Sequence, residues 1–99
     1  MYQRKTMDSW EIYQFCCGSW NSVTTELSRH RALVQIKLYR DNQPEYQHKI
    51  VPKRFTLKDA DAEQIARWQD EAYSGRMEGY EAAKLRREAK KAARLALTN

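Results

Sequence analysis

The sequence predicts an α+β fold: a small β-β-α-β module packed against one long C-terminal helix, all in a single domain over residues 1–99. Three observations predict it. Residues 9–17 alternate aromatic and β-branched side chains with the period of a strand. Ser28 opens a stretch of apolar residues at helical spacing, which Asn42 and Pro44 stop. From Asp61 to about Leu97 the chain reads as one helix whose charges are sorted by sign.

The first strand is expected over Ser9–Cys16, with Trp10, Ile12, Gln14 and Cys16 on one side and Glu11, Tyr13, Phe15 and the following Cys17 on the other. Gly18-Ser19 marks a tight turn, and Val23, Thr24 and Thr25 make Trp20–Leu27 a second strand, so the two form a hairpin closed near Gly18. Ser28 is a natural N-cap for a helix carrying Ala32, Leu33, Val34, Ile36, Leu38 and Tyr39. Tyr46–Val51 alternates again and is expected to stop at Pro52, after which Phe55–Leu57 bridges to the last element. Residues 1–57 are thus the module and residues 58–99 the helix.

Asp61 with Gln64 three positions later is a capping-box pattern for that helix. Ile65, Trp68, Ala72, Tyr73, Met77 and Tyr80 form an apolar stripe expected to dock on the sheet module. Gly75 and Gly79 each lower helix propensity by about 1 kcal/mol, which points either to a bend or to close packing. Beyond Tyr80 only Leu85, Leu95 and Leu97 stand among alanines, so the last turns are expected to project or fray. Leu85, Ala89, Ala92 and Ala96 share one side there and offer a surface for self-association.

With 99 residues and 11.8 kDa there is room for a modest core but not for separate cofactor and substrate domains. A charged fraction of 31% and a mean hydropathy of -0.93 describe a wet surface. No apolar run approaches the roughly 20 residues that cross a bilayer, and no secretory leader is evident, so a cytoplasmic protein without membrane contact is expected. Cys16 and Cys17 have no distant cysteine to close a loop with, and reduced structural thiols are expected.

Candidate chemistry is sparse. Cys16 or Cys17 with His30 or His48 has neither the spacing of a nucleophile-base pair nor that of a zinc finger. Gly18, Gly75 and Gly79 stand too far apart for a phosphate loop, and Asp59/Asp61 and Asp70/Glu71 lie at the start and on the solvated face of a helix, where they complement its dipole. No enzyme activity, metal or cofactor is expected.

The charge pattern says more. The net charge is +5, and all of it lies in residues 1–58, where ten basic side chains face five acidic ones. Residues 59–99 are neutral but divided: Asp61, Glu63, Asp70, Glu71, Glu78 and Glu81 come early and face only Arg67 and Arg76, while Lys84, Arg86, Arg87, Lys90, Lys91 and Arg94 come late and meet only Glu88. Arg86, Lys90 and Arg94 follow at i, i+4, i+8 beside Arg87 and Lys91, so like charges stack where ion-pair partners normally stand. That ridge suits an anionic partner, and it equally suits a solvated tail. A second candidate surface is the sheet face bearing Tyr13 and Phe15 beside Lys49, Lys53 and Arg54. If left bare it would stack the bases of a single strand, and if covered by Trp68 and Tyr73 it would be core.

The sequence pattern Trp10-Glu-Ile-Tyr13, Gly18-Ser-Trp20, Ala32-Leu33 and Tyr39-Arg40-Asp-Asn42-Gln-Pro44 resembles that of small single-domain accessory proteins of unknown function encoded by phages and mobile elements. The likeness spans roughly residues 10–54. It implies a non-enzymatic interaction protein, a phage-type accessory or inhibitory factor that binds a host protein or nucleoprotein complex. The alternative is a direct DNA- or RNA-binding module. The candidate partner-binding residues are Arg86, Arg87, Lys90, Lys91 and Arg94 on the helix, with Lys49, Lys53 and Arg54 on the module.

Overall fold

The computed structural model describes residues 5–97. Its elements run β1 (Thr6–Cys16), β2 (Ser19–Glu26), α1 (Arg29–Asn42), β3 (Gln47–Thr56) and α2 (Ala62–Leu97). This is the α+β arrangement that the sequence predicts. The strands form one antiparallel sheet in the order β2-β1-β3.

Cys17 and Gly18 turn the hairpin with φ values of 56° and 82°, the positive pair that a type I′ turn demands and that matches the twist of its strands. The turn sets Cys16 opposite Ser19 and Phe15 opposite Trp20. Farther along, Ile12 faces Thr24 while Tyr13 faces Ser22, so Val23 bulges from β2. Two strand boundaries differ from the sequence expectation. β1 begins at Thr6 rather than Ser9, and β3 runs through Pro52 to Thr56 instead of stopping at the proline. Both follow from position: β3 is an edge strand, where an absent N–H directed outward breaks no ladder bond, and its ten residues keep β1 paired down to Thr6.

Ser28 Oγ accepts the N–H of Arg31 at 3.2 Å and caps α1, and the Gln43 N–H donates to Tyr39 O at 2.8 Å at the other end. The His48 ring lies 5.6 Å from that of Tyr39, and Arg40 donates to His48 O. Since His48 also bonds Gln14 at 3.2 Å, α1 covers the face of the sheet that carries Ile12, Gln14 and His48. Among the described residues, Met7, Ile12, Ala32, Ile36 and Leu57 are the buried hydrophobic side chains. Leu33, Val34 and Leu38 on α1 stay exposed.

Asp61 Oδ1 accepts the N–H of Gln64 at 2.8 Å and starts α2. Its 36 residues span roughly 54 Å at 1.5 Å per residue, close to the 60 Å longest dimension of the molecule. The predicted stripe docks only in its first half. Trp68 meets Phe55 edge to face at 5.3 Å, and Ile65 and Ala72 are half-buried, but Tyr73, Met77 and Tyr80 are exposed. Gly75 and Gly79 take their place. Residues 65, 68, 72, 75, 79 and 82 form one row along the helix, and its small members bring α2 against the first turn of α1. An ideal Cβ at Gly75 would lie 2.1 Å from Ser28 Oγ, and one at Gly79 would lie 2.9 Å from His30 Cβ. Both glycines therefore serve close packing, and α2 continues through them. Arg31 clamps the same crossing with a two-pronged ion pair to Glu78, Nη2 to Oε1 at 2.9 Å and Nε to Oε2 at 3.1 Å. From Lys84 onward α2 is exposed on every side and is helical to Leu97, so it projects as continuous helix.

Candidate functional site

On the sheet face turned away from α1, the ladder places Glu11, Tyr13 and Phe15 of β1 beside Ser22 and Trp20 of β2 and Lys49 of β3, with Lys53 farther along opposite Ser9. Phe15 and Trp20 are cross-strand partners in T-shaped contact at 5.3 Å, and each remains more than a third exposed. Lys49 Nζ stands 4.3 Å from the centre of the Trp20 ring and 5.9 Å from that of Tyr13. Lys53 Nζ lies 5.1 Å from the Tyr13 ring centre. Cations over indole and phenol faces form a flat surface of alternating ring and positive charge.

Glu11 holds one edge of this surface in place. Its carboxylate accepts from Tyr13 Oη at 2.8 Å and Ser22 Oγ at 2.9 Å and pairs with Lys53 Nζ, which also donates to Tyr13 Oη. Lys53, then Tyr13 and Ser22, pull the Glu11 carboxyl down to about 2, and Glu11 with Tyr13 pushes Lys53 up to about 12. The charge of Lys53 is therefore largely answered within the sheet. Lys49 is the cation of this face that meets rings and no carboxylate among the described residues. Arg54 lies apart: it is in register with Asp8 on the opposite face and pairs with it, Nε to Oδ1, at 3.1 Å.

The helical candidates form a second surface. Arg86, Arg87, Lys90, Lys91 and Arg94 are all exposed on continuous helix, and among the described residues no carboxylate pairs with them. Arg86 stands slightly apart, since it also lines a cavity with Trp10, Arg76 and Tyr80.

The aromatic face is bare near Tyr13 and Phe15 because Trp68 goes to Phe55 instead and Tyr73 points into solvent. Trp20 belongs to it, although sequence reading did not place it there. The turn carries the missing signal: a two-residue loop at 17–18 pairs 16 with 19 and hence 15 with 20. The cysteines are adjacent in space, Sγ to Sγ 3.3 Å, because Cys17 has left the strand for the turn. They are not buried, and Cys17 beside it pushes the Cys16 thiol up, away from the reactive thiolate. Among the described residues no group of three or more His, Cys, Asp or Glu is placed to hold a metal, and no helix is long and apolar enough to cross a membrane. No protein-family model matches the chain, and no curated protein or solved structure shows significant similarity to it.

Proposed function

We propose that this chain is a non-enzymatic interaction protein whose exposed surfaces are completed by a host protein or nucleoprotein complex, in the manner of a phage-type accessory or inhibitory factor. The observation that carries this reading is its surface. The chain exposes 8027 Å², whereas a self-contained monomer of 11.8 kDa exposes about 5,900 Å². The radius of gyration, 17.7 Å, likewise exceeds the roughly 13 Å of a compact domain of this length. The excess is not neutral loop. It includes Leu33, Val34 and Leu38 on α1, Phe15 and Trp20 on the sheet and Leu85 on α2, apolar groups that gain about 25 cal/mol per Å² when a partner covers them. Charge sorting along α2 then gives direction, because its basic end steers association toward an acidic patch.

Direct binding of DNA or RNA is the second reading, favoured by Lys49 over Trp20 beside Tyr13 and Phe15, which is how proteins combine base stacking with phosphate attraction on single strands. Capture from host lysate on the immobilised chain, with and without nuclease, separates the two. A defined protein retained after nuclease treatment supports the first reading. Retention of nucleic acid alone, lost steeply as salt rises, supports the second.

A further inference from the structure

Between the first turn of α1 and the middle of α2 lies a cavity of about 360 Å³, within the range of small-ligand sites. Its wall carries Arg29, Arg76 and Arg86 together with His30, Trp10 and Tyr80, and no carboxylate. The surroundings sharpen the contrast. Arg31, Lys53 and Arg54 are each matched to a carboxylate, by Glu78, Glu11 and Asp8. The three arginines on the cavity have no such partner among the described residues. Three arginines thus line one space with no carboxylate among its lining residues, and the planar fork of a guanidinium fits phosphate oxygens in pairs.

Two further features point the same way. Arg29 and His30 open α1, so their backbone N–H groups belong to the unsatisfied first turn, whose dipole favours negative charge. Trp10 and Tyr80 also line the cavity, and Tyr80 is 64% exposed, so its ring is open to a planar ligand. Gly79 makes the floor possible, since a side chain there would press into His30.

We propose that this cavity binds a nucleoside phosphate, the phosphate held by Arg29, Arg76 and Arg86 and the base laid against Trp10 and Tyr80. The site is separate from the sheet face and does not depend on how that face is used. Titration of the full chain with AMP, followed by ¹H–¹⁵N spectra, is expected to shift the Trp10 indole and Gly79 amide signals saturably. Adenosine and inorganic phosphate should each bind at least tenfold more weakly. Arg76→Gln with Arg86→Gln should weaken AMP at least tenfold at an unchanged melting temperature, both side chains being exposed. Tyr80→Ala should weaken AMP while leaving inorganic phosphate unaffected. A 5′-phosphorylated tetranucleotide binding as tightly as AMP makes the ligand the end of a strand, and its exclusion makes the ligand a free nucleotide. The proposal is overturned if AMP does not bind, binds no better than inorganic phosphate, or binds the double variant unchanged.

Discussion

Gly75 of α2 rests directly on the Ser28 hydroxyl that caps α1: a Cβ at position 75 would stand 2.1 Å from Ser28 Oγ and 2.5 Å from its Cβ. This contact helps to hold the helix crossing together and leaves no room for a larger residue. Elsewhere in a helix Gly→Ala stabilises by about 1 kcal/mol. Here Gly75→Ala is expected to destabilise by roughly 2 kcal/mol or more, because Ser28 is 2% exposed and has no room to retreat without losing its bond to Arg31 N. Gly79→Ala, at 2.9 Å from His30 Cβ, should cost less, as the helix gain offsets part of the overlap. Urea denaturation of the two variants checks the order.

Acid should loosen the bare sheet face through Glu11. Its carboxyl is held at about 2 against an ordinary 4.5, so its contribution to folding is complete above 4.5 and is lost as pH falls from there toward 2. Glu11→Gln removes that contribution. The stability gap between the native chain and Glu11→Gln is expected to narrow across this window, measured as denaturant midpoints at successive pH values. A constant gap would mean that Lys53, Tyr13 and Ser22 do not hold the carboxylate in solution.

The turn residue Cys17 is an L-residue at φ 56°, a region that asparagine and glycine occupy more readily. Cys17→Asn should raise stability by about 0.5–1 kcal/mol. Replacing both cysteines with serine should leave partner binding untouched, as the two thiols pair with each other at the turn. Thermal melts and the capture assay test each half.

Trp68→Ala is expected to cost about 2 kcal/mol, below the 3–5 kcal/mol of a fully buried tryptophan, because the ring is only half-buried against Phe55. A change under about 0.5 kcal/mol, within the range of surface substitutions, would detach the start of α2 from the module.

What was legible in the chain divides by the kind of signal. Ser28, Asp61 and the alternation through Trp10, Ile12 and Gln14 announce their elements because caps and periodicity are local. Tyr73, Met77 and Tyr80 mislead because size reads as core, while the surface that α2 needs is the row of small residues through Gly75 and Gly79, whose value depends on a neighbour 47 residues away, as in the Arg31–Glu78 pair. Pro52 misleads for a related reason, since a proline ends a central strand but not an edge one, and strand order is a tertiary fact. Of the candidate surfaces, the basic ridge is readable from i, i+4 spacing alone. The bare aromatic face needed the knowledge that α2 leaves it uncovered.

The ridge itself gives the most direct test of function. Arg87, Lys90, Lys91 and Arg94 lie beyond the last half-buried residue of α2, Ala83, and are exposed. Changing Arg87, Lys91 and Arg94 to glutamate should therefore weaken partner binding strongly while leaving the melting temperature nearly unchanged, and it spares Arg86 and the cavity. For a protein partner the loss should fall mainly on the association rate, with mild salt dependence, since rim charges steer encounter more than they hold the complex. For nucleic acid the affinity should instead drop steeply with salt, and the slope of log affinity against log salt should shrink by about one for each phosphate contact removed. Unaltered affinity for every identified partner would make the ridge a solvated tail and return the interaction to Trp20, Phe15 and Lys49 on the sheet.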